Sequence, residues 1–202
     1  MDFEAVVAER EGELYDRVLR QRYDIYCVEK GYFDHKKYPD KRESDKFDAY
    51  SDFIAVLDER GELAASTRFV HHAPFEFPTP TLEAYRLDVR EFGFAPEKAG
   101  EVSRSIISPQ YRGLRDSKKI TLAAHDRVYE ISEALGIEIW FGAFEKSFLR
   151  LSNMFGIRYR AIGTPIAYGG VLRYAAMLRV DDYGKELSIR KAQNGSGAAK
   201  QR

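Results

Sequence analysis

Three side chains able to do acid–base and electrostatic chemistry fall within four positions of GEVSRSIISPQYRGLRDSKK (100–119): Glu101, Ser103 and Arg104. A glutamate drawn partly out of water has its pKa raised toward neutrality, where it can take a proton from an amine or a water. Glu101 is the only acid of this β-like run. Strand alternation puts Glu101, Ser103 and Ser105 on one face and Arg104 on the other, unless a β-bulge intervenes. An ion pair of Glu101 with Arg68 or Arg104 is the competing reading, and the two can coexist. Behind the strand, a Pro-Gln-Tyr-Arg-Gly turn leads to Arg112, Gly113, Arg115, Lys118 and Lys119. These cations suit an anion at a helix start, or form a solvated helix face.

A second polar set lies upstream. Arg22 falls in an otherwise apolar helical stripe with Tyr15, Leu19 and Tyr26, where a guanidinium needs a carboxylate. The polar, aromatic segment 31–51 offers Glu43, Asp45 and Asp48, and Arg68 follows on a strand. Arg22, Asp45, Asp48 and Arg68 read as a charge network tying the first helix and the loop to the sheet. It either grips the amine and carboxylate of a small acceptor or is purely structural. Of the four histidines, His71 and His72 are expected in a loop and His125 half-exposed in mid-helix, with no metal-ligand pattern. There is no P-loop and no dinucleotide fingerprint. The lone Cys27 allows no disulfide within the chain and no Cys-rich zinc site, and is expected to be buried.

The elements that must position these residues follow from pattern. A strand is expected over 2–8, a helix over 11–29, and hairpin strands near 52–58 and 63–70. A short helix in TLEAYRLDV precedes the central strand EVSRSIIS. The next helix carries Ile120, Ala124, Val128, Ile131 and Leu135 on one face and is closed by Gly136. IEIWFGAF reads as a buried strand, EKSFLRLSNMFG as a short helix, and YRAIG and GVLRYAAMLRV as two more strands. The order specifies an α/β fold: a mixed central sheet with helices on both faces, three layers, in one domain over 1–185. The tail 186–202 is expected to be disordered. With 202 residues, 44% of them hydrophobic, the chain can bury a full core. Lys+Arg and Asp+Glu both number 32, which removes the bulk positive charge of a nucleic-acid binder. No apolar run reaches the ~20 residues of a membrane span and no signal-peptide pattern is present, so a cytoplasmic protein is the default expectation.

The ordered set Arg22, Tyr26, Tyr32, Asp45, Asp48, Arg68, Glu101 and Arg104 resembles that of the acyl-homoserine lactone synthases and the related N-acyl amino acid synthases. These are autoinducer synthase-like acyltransferases of the GNAT fold, and the resemblance covers about residues 1–180. Tyr26 and Tyr32 stand where lactone synthases usually carry Phe and Trp. MFGIRYRAIGTPIAYGGVLRY looks more like the N-acyl amino acid synthases, and like exosortase-associated acyltransferases.

The resemblance implies transfer of a long-chain acyl group from an acyl carrier protein thioester to the amine of an amino acid, tyrosine favoured. Lactone synthesis, an exosortase-associated acyltransferase, the same fold with an acyl or acetyl coenzyme A donor, and an inactive acyl-binding module are the alternatives. It implies Glu101 as general base with Ser103 and Arg104 at the reaction centre, and Arg22, Tyr26, Tyr32, Asp45, Asp48 and Arg68 around the acceptor. The acyl tunnel is expected among Trp140, Phe141, Phe144, Phe148 and Leu149. Ile106, Arg112, Gly113, Arg115, Lys118 and Lys119 would receive the carrier and its 4'-phosphopantetheine arm. No metal and no permanently bound cofactor is expected. The fold also implies a bulge that splays the central strand and aims N–H groups near Ser103 to Ile106 at the thioester oxygen. Arg115 occupies a place where coenzyme-A-using acetyltransferases carry a small residue, which favours the carrier protein as donor.

Overall fold

A computed structural model describes residues 2–168 and 170–198. In chain order the elements are β1 (Phe3–Val7), α1 (Glu13–Arg22), β2 (Ser51–Asp58), β3 (Leu63–His71), α2 (Pro80–Tyr85), β4 (Ala99–Ile107), α3 (Leu114–Leu135), β5 (Ile139–Phe144), α4 (Lys146–Met154), β6 (Arg160–Ala161), β7 (Ile166–Tyr168), β8 (Val171–Arg179) and α5 (Val180–Ala198). The strands form one mixed sheet in the order β1-β2-β3-β4-β5-β8-β6, with β7 also paired to β8. All pairings are antiparallel except β4 with β5. Ile120, Ala124 and Val128 of α3, with Tyr183 and Leu187 of α5, bury one face of the sheet, including Val102, Trp140 and Leu178. Val18 and Leu19 of α1 pack on Phe53 and Ala55, and Leu82 of α2 packs near Ile139 and Phe141. The result is the expected three-layer arrangement. Alternation along the strands drives it, because each strand sends successive side chains to opposite helical layers.

Five expectations are corrected. The first helix does not run uniformly to Glu29: α1 ends at Arg22 and continues as a π-helical segment, Tyr23–Glu29, closed by a Lys30 N–H to Ile25 carbonyl bond of 2.9 Å. Such wide turns recur at functional sites, and this one carries Tyr26. His125 is buried rather than half-exposed, packed against Trp140, Tyr159 and Tyr183. Burial holds its pKa down to about 4, so it is neutral, with one ring nitrogen 2.9 Å from the Thr121 carbonyl oxygen. His71 belongs to β3 and not to a loop. The tail is helical through Ala198, since α5 continues directly from β8 and docks Leu187 in the core; residues 199–202 lie outside the described residues. Leu135 also falls off the buried face of α3.

β4 and β5 pair only at Ala99–Ile139, Gly100–Trp140 and Glu101–Phe141. Beyond that point β5 stays with β8 as far as Phe144, and β4 stays with β3 as far as Ile107. The two strands therefore part in the middle of the sheet. Gly142 sits just past the parting, and a Cβ there would meet the Phe144 ring and, at 2.9 Å, the Val102 carbonyl oxygen. Gly142→Ala is expected to lower stability by about 1–3 kcal/mol through overpacking. Urea unfolding checks this; an unchanged midpoint would mean that the gap absorbs the methyl group.

Candidate active site

The parting is accompanied by a bulge. Ser66 pairs with Ile106 and Arg68 with Ser103, so Arg104 and Ser105 share one place opposite Thr67. Arg104 takes the left-handed region, φ 50°, which is strained for a non-glycine residue. The bulge breaks the alternation: Glu101, Ser103, Arg104 and Ser105 all line one cleft of about 190 Å³. Ala143, Phe144, Glu145 and Phe148 lie across from them, and Tyr26, Tyr32, Phe33 and Arg173 are among the other lining residues.

Glu101 is 2% exposed and its Oε2 accepts a 2.7 Å bond from the Thr81 N–H. Burial is the largest influence and raises its pKa above the ordinary glutamate value; the Thr81 N–H and the Arg68 charge oppose this and are outweighed. Arg68 donates to Ser103 Oγ at 3.2 Å, and no ion pair joins Glu101 to Arg68 or Arg104 among the described residues. Glu101 is thus a carboxyl group poised to change protonation state at the edge of the cleft.

Beside it, three arginines and three carboxylates close a ring. Arg22 meets Glu43 at 2.6 Å and Asp48 at 3.1 Å. Arg68 meets Asp48 and Asp45, each at 2.6 Å. Arg104 meets Asp45 at 3.0 Å and Glu43 at 3.1 Å. Each charge therefore has two opposite neighbours, which is what makes burial of six charges tolerable. Burial pushes the Asp45 and Glu43 pKa values up, but Arg68 and Arg104 for Asp45, and Arg22 and Arg104 for Glu43, overcome it; Asp45 lies at about 2. Arg104 reaches the cleft from this ring, with its guanidinium 4.8 Å from the Phe33 ring centre and 5.7 Å from that of Tyr26. Tyr26 stacks on Tyr32 with centroids 6.1 Å apart, and burial pushes its pKa up to about 12.

The ring reassigns several expected roles. Arg22 and Arg68 are sealed from solvent, and Asp45 and Asp48 are each shared between two arginines. None of the four lines the cleft; they join Arg104 and the loop to the sheet. Glu43 was visible as an acid in the loop but absent from the expected set. Its signal was arithmetic: three arginines needed a third carboxylate.

Phe144 and Phe148 line the cleft, but three expected tunnel residues do not. Trp140 is sealed in the core, donating to Ser132 Oγ at 2.8 Å. Phe141 faces the α2 side, and Leu149 packs on the α3 side. An apolar cavity of about 110 Å³ adjoins the cleft through Ser105 and Phe148, lined by Ile106, Ile107, Ile120, Ala124, His125 and Leu151 among others. Ile106, expected near the carrier arm, belongs here.

The basic cluster is dispersed. Arg112 is bidentate to Glu29 at 2.8 Å, Lys119 meets Asp2 at 3.2 Å, and Lys118 flanks a groove toward α5. Gly113 caps α3 from outside with open space around it, and Arg115 is exposed beside it. Sequence reasoning also missed Phe33, Glu145 and Arg173. Arg173 lies in GVLRYAAMLRV, read only as a strand, and nothing in its spacing set it apart.

Because the carboxylates of Asp45 and Glu43 titrate below their ordinary values of 3.8 and 4.5, their stabilisation is complete above about pH 5 and is lost as pH falls through the lowered values, about 2 for Asp45. Glu43→Gln leaves Arg22 with Asp48 alone and is expected to cost about 3–5 kcal/mol at pH 7. Its urea midpoint should also fall less steeply between pH 5 and pH 2.5 than that of the wild type. Parallel acid limbs would show that the ring does not carry this stability.

Comparison with known proteins agrees with this geometry. The family described as "Acetyltransferase (GNAT) domain" matches residues 21–121, half of the chain. No curated protein matches the sequence. The fold is similar to that of BjaI, a CoA-dependent acyl-homoserine lactone synthase solved with SAM and isopentyl-CoA, at TM-score 0.63 and 22% identity over 89% of this chain and 83% of that one. It is similar to the acyl-homoserine lactone synthase LasI at TM-score 0.67 and 16% identity, covering 88% and 90%. It is also similar to FeeM, an N-acyl amino acid synthase from uncultured soil microbes, at TM-score 0.61 and 13% identity, covering 89% and 92%. The matched segment runs from Gln21 in α1 through the bulged strand into α3 and covers half of the chain, which settles the family: the chain belongs to the GNAT acetyltransferase-domain family.

Proposed function

We propose that this chain is an N-acyltransferase that joins an acyl group, delivered as a thioester, to the amine of an amino acid. The observation that carries the reading is Glu101: a buried carboxyl group of raised pKa at the lip of the β4–β5 gap. In the step proposed, Glu101 takes one proton from the acceptor ammonium and passes it to solvent, the neutral nitrogen attacks the thioester carbonyl carbon, and the C–N bond forms as the C–S bond breaks. The second proton, acidic once the nitrogen is bonded to the carbonyl carbon, goes to the departing thiolate, which leaves as the thiol. Past Glu101, β4 has no pairing with β5 among the described residues, so N–H groups between Ser103 and Ile106 are the donors proposed for the developing oxyanion.

The donor proposed is an acyl carrier protein, its 4'-phosphopantetheine arm entering by the turn before α3. Arg115 beside Gly113 supports this over coenzyme A, because a bulky residue crowds a loop that must wrap a pyrophosphate. BjaI is described as CoA-dependent, so both donors belong in the assay. The aromatic wall of Tyr26, Tyr32 and Phe33 supports an aromatic acceptor, tyrosine first. The apolar cavity beyond Phe148 is proposed to take the acyl chain.

Mass spectrometry of lipid extracts from cells expressing wild type or Glu101→Gln tests the reading. N-acyl amino acids are expected with wild type and reduced by roughly 10²–10⁴ in the variant. A raised pKa means that Glu101 stabilises the fold below its unfolded pKa and loses this as pH rises, so Glu101→Gln should be no less stable than wild type at pH 7. Equal amide yields from both proteins would sink the assignment of the base, and lactones in place of amides would replace the acceptor. Ala124→Leu, which fills the apolar cavity, should shift the products to shorter chains; an unchanged chain-length profile would place the acyl group elsewhere.

A further inference from the structure

The base is asked for two things that oppose each other. Glu101 is almost sealed from water, which favours the uncharged carboxyl, yet only a charged carboxylate can take a proton from the acceptor. Something inside the buried site must favour the charge. Arg68 of β3 does so, but it is already shared by Asp45 and Asp48. Tyr159, just before β6, is held neutral by burial, with Tyr183 and Glu101 adding to this. The cleft also holds Tyr26, Tyr32, Glu145 and Arg173, and Arg104 beside Glu101 is bound to Glu43 and Asp45.

The strongest support for the carboxylate is a backbone group. Among the influences on Glu101 that oppose burial, the Thr81 N–H comes first, ahead of Arg68 and of the Thr79 and Thr81 hydroxyls. Its bond to Oε2 is 2.7 Å long and buried. The local sequence aims it there. Thr79 precedes α2 and accepts from the Leu82 N–H, and Pro80 opens the helix with a fixed φ. The first N–H groups of a helix have no partner within it, so the Thr81 N–H is left for a group outside. Leu82 clusters with Ile139 and Phe141 and anchors this turn to β5, while Pro80 itself lines the cleft. Thr79, Pro80, Thr81 and Leu82 are all buried.

We propose that Thr81 is the positioning residue of the general base: its N–H fixes Glu101 Oε2 at the edge of the cleft and favours the charged carboxylate that receives the proton. Thr81 does not line the cleft and acts through Glu101. This inference rests on the acyl-transfer reading above and supplies what lets a buried carboxyl serve as its base.

The test compares wild type, Thr81→Val, and Thr81→Val made with the α-hydroxy analogue of valine at that position, whose ester oxygen replaces the peptide N–H and leaves the side chain unchanged. Amide formation is followed from pH 5 to pH 9, with acyl thioesters of both a carrier protein and coenzyme A and the amino acid that wild type acylates fastest. Thr81→Val loses only the hydroxyl and should move the midpoint of the kcat/KM profile up by about a third of a pH unit, roughly twofold in rate at low pH. The ester should move it up by about one further unit, a tenfold loss of kcat/KM below both midpoints, with the thioester KM within about twofold. A second measurement uses wild type itself. In a proton–nitrogen correlation spectrum the Thr81 amide proton should move downfield with the same midpoint as kcat/KM, and should lose that titration in Glu101→Gln. An ester profile that coincides with that of Thr81→Val, or a Thr81 amide proton that does not follow the activity midpoint, overturns the role of Thr81 while acyl transfer stands. No amide from wild type with any of the twenty amino acids overturns both readings.

Discussion

The structure depends on a ring of six charges held almost entirely out of water. Arg22, Arg68 and Arg104 come from a helix, a strand and a bulge, and Glu43, Asp45 and Asp48 come from one loop. A guanidinium buried alone would carry a desolvation penalty of several kcal/mol, and a buried carboxylate likewise. Closing the ring lets each charge satisfy two others, and the formal charge of the six is zero. The loop 31–50 is consequently pinned to the sheet with little regular structure of its own. Asp45 also caps the short turn at Lys46–Tyr50, where it accepts from the Phe47 N–H while the Asp48 side chain accepts from the Asp45 N–H.

The ring explains how a strained residue persists at the centre of the sheet. Arg104 at φ 50° is unfavourable by itself, and its two carboxylates and two aromatic faces hold it there. The same bulge brings Glu101, Ser103, Arg104 and Ser105 to one cleft and accompanies the parting of β4 from β5. Strain at one position thus accompanies a cleft where a regular sheet would have none. Glu101, just before the bulge and bonded to the Thr81 N–H, is outside the ring and keeps a raised pKa, while the ring's own acids are held low. The carboxylates of the ring and of Glu101 are thus driven in opposite directions, the first by paired guanidinium groups and the second by burial.

Much of this was legible in the sequence, for reasons that differ by residue. Periodicity found α3 and its closing Gly136, and the hairpin of β2 and β3, because both are governed by local spacing. The order of arginines and acids identified most of the ring, since a buried charge announces its need for a partner. Glu43 escaped the set because a loop has no period to mark which acid turns inward. Trp140 and Phe141 were read as tunnel walls because composition separates apolar from polar but not one apolar environment from another; on one strand they point to opposite layers, both filled. The cations around Gly113 were read as a cluster, but Arg115, Lys118 and Lys119 are spread along α3, and Arg112, before the helix, is claimed by Glu29, 83 positions earlier. Arg173 was invisible for the same reason, since it lies over Tyr32, which is distant in sequence.

The central claim is that Glu101 removes the proton of the acceptor amine inside the cleft. It is tested most directly by the pH dependence of kcat/KM for amide formation, measured on total acceptor from pH 5 to pH 9 for wild type and Glu101→Gln. The account predicts a wild-type profile that levels off above the raised pKa of Glu101, because the enzyme itself deprotonates the bound ammonium. The variant should depend on amine already neutral in solution, with kcat/KM climbing about tenfold per pH unit across the range where the wild type is flat. Superimposable profiles, differing only by a constant factor, would contradict the account and leave Glu101 a structural group.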